Sequence, residues 1–207
     1  MFYLDSVKET AYGFKTKLLF FIERIEKLRH KLGKNKSQLQ ILDVGCGNGR
    51  LVTFPLGEQG YKVVGIDAHE PTIAYANKEN CFKNVKFEIG DVESLINKIK
   101  GNVKFDVVIL SDVLEHLNRP ANLLIAVKKL LESTGIILIS VPNGYGSFEI
   151  ENFILRKTGL LKFGRAIKQK KAEFQTLNEE SGHVQFFTQK TFFALLEQTG
   201  FKIAFFQ

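Results

Sequence analysis

The stretch Ile41-Leu42-Asp43-Val44-Gly45-Cys46-Gly47-Asn48-Gly49 decides the fold. An apolar run from Leu39 to Val44 reads as a short strand. It stops in a turn where three glycines occur within five residues. Glycines placed there let the backbone bend sharply and let a ligand approach with no Cβ in the way. A dinucleotide-binding turn would read GxGxxG, with its pyrophosphate on the following helix N-terminus. Here Arg50 stands at the last glycine position of that pattern, and the glycine comes one residue early, at Gly49. Asp43, two residues before the first glycine, would face a pyrophosphate badly and suits a ligand that carries an ammonium group.

Outward from this turn, strands and helices alternate, the pattern of parallel βαβ units. Upstream, Leu18, Phe21, Ile22, Ile25, Leu28 and Leu32 recur near helical spacing, so Phe14 to Leu32 is predicted as an amphipathic helix ending before Gly33. Lys34 to Gln38 is a polar linker. Downstream a helix begins near Gly49, bent or delayed by Pro55, which lacks an amide hydrogen. Lys62 to Ile66 is a strand closed by Asp67. Glu70 to Asn80 is a helix with Pro71 in its favourable first turn. Val85 to Ile89 and Lys104 to Leu110 are strands, the latter apolar on both faces as a central parallel strand is. Pro120 to Leu131 reads as a helix, Ile136 to Val141 as the fifth strand. Thr188 caps a helix to about Gln198, and Phe201 to Phe206 reads as a sixth strand. The expected fold is α/β: a Rossmann-like, doubly wound, mostly parallel sheet flanked by helices, forming one domain over 1–207. Between Pro142 and Phe187 the period breaks, and a long insert of this kind is expected to act as a lid or substrate segment.

Composition bounds the alternatives. The chain has 207 residues, 44 % hydrophobic and 25 % charged, which excludes a disordered chain. Lys and Arg total 29 against 22 Asp and Glu, a net charge of +7. That permits an anionic partner and equally a merely soluble surface. Cys46 and Cys81 are the only cysteines, with no CxxC pair, which fits a reducing cytoplasm. The start Met1-Phe2-Tyr3-Leu4-Asp5 lacks a secretory pattern, and no apolar run approaches the roughly 20 residues of a membrane span.

With these pieces assembled, the chain resembles the class I S-adenosylmethionine-dependent methyltransferases over nearly all of Leu39 to Phe206. The resemblance rests on ILDVGCGNGRL (Ile41 to Leu51), VVGID (Val63 to Asp67), GDVESL (Gly90 to Leu95), FDVVILSDVLEHLNRP (Phe105 to Pro120) and GHVQFFTQKTFFALLEQTGF (Gly182 to Phe201). It implies adenosylmethionine as cofactor and S-adenosylhomocysteine as product. The cofactor's amino-acid end would lie at Asp43, Gly45, Cys46 and Gly47, its ribose at Asp67 and Ala68, and its adenine at Asp91 and Val92. Ser111 and Asp112 would form the substrate-side turn. Read from the residues alone, Asp67, about 20 residues after the glycine turn, is placed as a ribose acceptor rather than a mere strand-ending cap, whereas Asp91 is as readily a helix N-cap. The family's sheet usually closes with a hairpin of two last strands, whereas Phe201 to Phe206 offers one, so either the sequence is cut short or the edge is built differently.

Methyl transfer from a sulfonium needs alignment more than chemistry from the protein. A general base is needed only for a protonated acceptor such as a hydroxyl. His116 and His183 are the candidates, each also readable as a structural histidine. Asp112, Glu115 and His116 share one face if their segment is helical. With His183 they offer a ligand set for a divalent cation, an arrangement similar to that of some relatives, though the same element is common in relatives without metal. Lys15 and Lys17 are placed to meet the cofactor carboxylate. The insert gathers Tyr145, Phe148, Phe153 and Phe163 among Arg156, Lys157, Lys162, Arg165, Lys168, Lys170 and Lys171, a mixture suited to an anionic acceptor or an acidic membrane surface. The expectation is therefore cytoplasmic methylation of a small molecule, at oxygen. The rivals are an RNA methyltransferase using the basic insert and a non-catalytic cofactor-binding subunit. No separate RNA-binding module supports the first. A nicotinamide oxidoreductase is disfavoured by Asp43 and Arg50.

Overall fold

The computed structural model describes residues 13–92, 104–142 and 184–206. Helix α1 spans Phe14–Leu32 and buries Leu18, Phe21, Ile25 and Leu28, a three- and four-residue spacing that makes one apolar stripe. A short 3₁₀ turn at Lys36–Gln38, closed by an Asn35 capping box, leads into β1, Gln40–Val44. Helix α2 (Thr53–Glu58) follows the glycine turn, with Pro55 inside its first turn, where no helical amide bond is lost. Then come β2 (Lys62–Asp67), α3 (Glu70–Glu79) and β3 (Val85–Ile89). Strand β4 (Phe105–Ser111) precedes a 3₁₀ turn at Leu114–His116, helix α4 (Pro120–Leu130) and β5 (Leu131–Ser140). Helix α5 is Gln189–Gln198.

The five strands form one sheet in the order β3-β2-β1-β4-β5. Every neighbouring pair is parallel. The chain steps outward from β1 to β3, then resumes on the other side of β1 with β4. The order therefore reverses between β1 and β4, and ligands of such sheets bind outside the carboxyl ends of the strands at that reversal. Phe105 through Leu110 are all buried, as sequence apolar on both faces demands. Phe21, Ile25, Leu39, Ile41, Phe54, Tyr61, Val63, Ile73, Val107 and Ile109 belong to one core cluster that joins α1, the sheet, α2 and α3.

The described residues fall into two compact units. One runs to Val113 and includes Asn122–Ser140; the other comprises Leu114–Ala121 and the described part of Val141–Gln207. The first carries the sheet. In the second, Thr188 caps α5 by accepting from Thr191 N, and the Phe187 and Phe192 rings meet edge-on 5.8 Å apart, a hydrophobic staple across the cap.

Two expectations at the strands are corrected. β5 begins at Leu131 rather than Ile136, because Leu131 pairs with Phe105 before the register slips and resumes at Val107↔Ile136. Gly135 sits in that irregularity, where an added Cβ would come within 2.6 Å of Leu131 and 3.0 Å of the Asp106 carbonyl. The expected strand over Phe201–Phe206 does not form: these residues pair with no strand among those described. Apolar residues alone do not make a strand without a ladder partner. Ile203, Phe205 and Phe206 remain exposed, and the Phe206 ring folds back edge-on against Phe193 of α5 at 5.1 Å. The insert residues 143–183, including Tyr145, the basic cluster and His183, lie outside the described residues, as does Glu93. Among the described residues no helix is long and apolar enough to cross a membrane.

Candidate cofactor site

The glycine turn is tied to the end of β2. Gly45 N and Cys46 N both donate to the Ile66 carbonyl, at 2.8 and 3.0 Å, and Gly47 N donates to Asp67 Oδ2 at 2.9 Å. Gly45, Gly47 and Gly49 all have positive φ, 71°, 54° and 76°, the left-handed region that side chains resist. Their surroundings differ. A Cβ on Gly45 would come within 2.7 Å of Val113, and one on Gly49 within 2.6 Å of Phe87. A Cβ on Gly47 would meet nothing within 4 Å. Gly45 and Gly49 are thus required by packing, while Gly47 presents bare backbone to open space.

Asp67 holds both sides of the turn, because its Oδ1 also accepts from His69 N at 2.8 Å. The cap and ligand readings of this residue are compatible, since each oxygen keeps a second lone pair. Ala68 beside it is exposed. Behind the turn, Asp43 is almost fully buried and accepts from the Thr53 hydroxyl at 2.6 Å. Burial pushes its carboxyl up to about 7, the Thr53 bond pulls the other way, and the nearby Asp67 charge adds to the rise. Burial, with the Asp43 and Asp67 charges, also raises the Cys46 thiol, so Cys46 is no nucleophile at neutral pH. At the end of β3, Gly90 N donates to the Asp67 carbonyl at 3.0 Å, leaving Asp91 exposed and Val92 buried.

The carboxyl end of β4 supplies the opposite wall. Its ladder with β5 runs to Ser111↔Ser140, and Asp112 N still donates to the Ser140 carbonyl at 3.0 Å. Asp112 then takes φ 56°, the only non-glycine residue with positive φ among those described. Its Oδ1 accepts from Ser140 Oγ at 3.0 Å and its Oδ2 forms an ion pair with Lys17 of α1. The Lys17 ammonium also lies over the Phe14 ring, 4.6 Å from its centroid. Lys17, expected to meet the cofactor carboxylate, is paired with Asp112, and Lys15 is half-buried.

Asp112, Glu115 and His116 do not share a helical face. The left-handed turn at Asp112 interrupts the segment before the 3₁₀ turn at Leu114–His116, because the ladder to Ser140 forces an abrupt exit from β4. Glu115 is buried, and its carbonyl accepts from Val184 N and Gln185 N at 2.9 and 3.0 Å. His116 is exposed. Among the described residues no three His, Cys, Asp or Glu side chains gather as a metal site, and His183 lies outside them.

Sequence reasoning missed Thr53, Val113 and Ser140. Thr53 had a signal: a hydroxyl at the start of the helix that follows the glycine turn, ten residues after Asp43. Val113 and Ser140 had none, because their roles arise from strand register.

A family model described as a methyltransferase domain matches residues 18–204. The chain belongs to this methyltransferase family. Its parallel sheet and helices have the class I fold. The ubiquinone biosynthesis O-methyltransferase of Rickettsia akari (strain Hartford) is 35 % identical over 119 residues, 58 % of this chain and 46 % of that protein. The methyltransferase domain thus spans about half the length of the curated relatives it matches. A SAM-dependent methyltransferase from Archaeoglobus fulgidus superposes with TM-score 0.58 at 21 % identity, covering 87 % of this chain and 69 % of that one. The plantazolicin methyltransferase BpumL, solved with SAH, gives TM-score 0.57 at 22 % identity, covering 84 % and 59 %.

The residues of this methyltransferase fit the family's cofactor, S-adenosylmethionine. Gly47 offers open backbone, Asp67 offers free lone pairs for two hydroxyls, and Asp43 places a carboxyl behind the turn where a cationic ligand would relieve the cost of its charge.

Proposed function

We propose that this domain transfers a methyl group from S-adenosylmethionine to a hydroxyl oxygen of a small molecule in the cytoplasm. The observation that carries the reading is the Gly47–Asp67 arrangement: open left-handed backbone held beside an acid at the topological reversal of a parallel sheet. The relatives named ubiquinone biosynthesis O-methyltransferase support oxygen as the acceptor atom and a ubiquinone-related small molecule as its carrier.

In this reading Asp67 accepts from the ribose hydroxyls. Asp91 and the Val92 amide meet the adenine. Gly45, Cys46 and Gly47 line the amino-acid end with backbone. Ser111 and Asp112 form the wall on the acceptor side. When bound, the cofactor supplies a methyl group already activated on sulfonium, so the chain's own task is alignment and exclusion of water. His116 takes the proton of the acceptor hydroxyl, as base or through a water. His183 is its partner candidate.

Titration calorimetry with S-adenosylhomocysteine tests the cofactor step. Micromolar binding by the wild type, lost in Asp67→Ala while that variant keeps a cooperative melt, is expected. A folded wild type that does not bind overturns the reading. Transfer of labelled methyl to catechol-type acceptors then tests the oxygen. Label appearing on nitrogen or on RNA would overturn that part alone.

A further inference from the structure

Lys17 and Asp112 are 95 residues apart in sequence yet paired, and the pair is half sheltered, with 16 % and 35 % of the side chains exposed. Asp112 is the described residue that holds positive φ without being glycine, a conformation costing roughly 1–2 kcal/mol that local contacts must hold. Three contacts do so: Lys17 on one carboxylate oxygen, Ser140 Oγ on the other, and Asp112 N on the Ser140 carbonyl. Each carboxylate oxygen thus has a partner within the protein. The next residue, Val113, lies over Gly45, where an added Cβ would come within 2.7 Å of its side chain. A continuous path therefore runs from α1 through Lys17, Asp112 and Val113 to the first glycine of the cofactor turn.

We propose that Lys17 is a positioning residue, which fixes the Asp112–Val113 turn against Gly45 and so sets the shape of the pocket for the cofactor's amino-acid end. Asp112 acts in the site through the turn that it holds. The proposal rests on the cofactor reading above. It assigns the N-terminal helix a part in the site that the glycine motif does not contain.

The test compares Lys17→Met, Asp112→Asn, the double variant and Lys17→Arg. Hydrogen exchange of α1 amides is read without ligand, and S-adenosylhomocysteine affinity by calorimetry. The expected result is faster exchange of the first α1 turns in each single variant. Affinity falls about tenfold in each, the double variant is no weaker than either, and Lys17→Arg restores most of both. A Lys17→Met variant that loses affinity beside an unaffected Asp112→Asn would overturn the proposal, since Lys17 would then act on the cofactor directly. Unchanged exchange and affinity in both would overturn it as well. A wild type that fails to bind the nucleoside overturns the cofactor reading instead; the exchange data still decide whether the pair docks α1, and unchanged exchange then sinks the proposal independently.

Discussion

Asp43 and Gly47 answer different demands within one turn. Asp43, buried with a carboxyl raised from 3.8 to about 7, binds a proton more tightly folded than unfolded. A raised native pKa contributes stability that is fully present below about 3.8 and lost as pH climbs through about 7. The amount is on the order of 4 kcal/mol. Melting of the unliganded protein is therefore expected to fall between pH 5 and pH 8, and Asp43→Asn should flatten that slope. Glu26 does not interfere in this window. Against the pull of burial, hydrogen bonds from Arg29 and Tyr61 and the charges of Lys36 and Arg29 hold its carboxyl at about 2, so its contribution is lost only as pH falls below 4.5. At Gly47 an added methyl enters open space, so Gly47→Ala should cost only the roughly 1–2 kcal/mol of a left-handed side chain while abolishing S-adenosylhomocysteine binding. Gly49→Ala meets Phe87 at 2.6 Å as well as a φ of 76°, and denaturant titration should show the larger loss there. Equal costs at both positions would refute the distinction.

At the scale of elements, α5 shows how local signals specify an end. Thr188 accepts from Thr191 N, Thr191 Oγ1 accepts from Thr188 N at 2.9 Å, and Phe187 staples Phe192. Thr188→Ala should destabilise the helix by about 1 kcal/mol, read as faster amide exchange in its first turn. The same locality explains what was legible in the sequence. α1 was readable to both ends because one apolar stripe and Gly33 bound it. β4 was readable because burial on both faces leaves no polar alternation. The start of β5 was not, since Leu131 becomes strand only by pairing with Phe105 across a register slip. Phe201–Phe206 was misread because β propensity does not supply a partner. Whether Asp112, Glu115 and His116 share a helical face was not legible, because the bond from Asp112 N to the Ser140 carbonyl, 28 residues on, decides the course of the segment. In the site, the glycines and Asp67 could be found by motif, whereas Val113 and Ser140 enter through tertiary register.

For the whole molecule, the proposed site draws on α1, β1, β2, β4 and β5, so a nucleoside bound there would link elements spanning Lys17 to Ser140. Ligand that binds only the folded chain stabilises it by about 2.7 kcal/mol at a hundredfold excess over Kd. In a chain of 207 residues that corresponds to a rise in Tm of about 5–10 °C. S-adenosylhomocysteine is expected to give this shift in the wild type and none in Asp67→Ala at the same concentration. Asp67→Ala also removes the acceptor of Gly47 N and His69 N, so its unliganded Tm should already be lower. The deciding quantity is therefore the difference with and without ligand in each protein. An equal ligand shift in both would mean that the nucleoside binds away from the β2 end, and the placement of the ribose at Asp67 would fall with it.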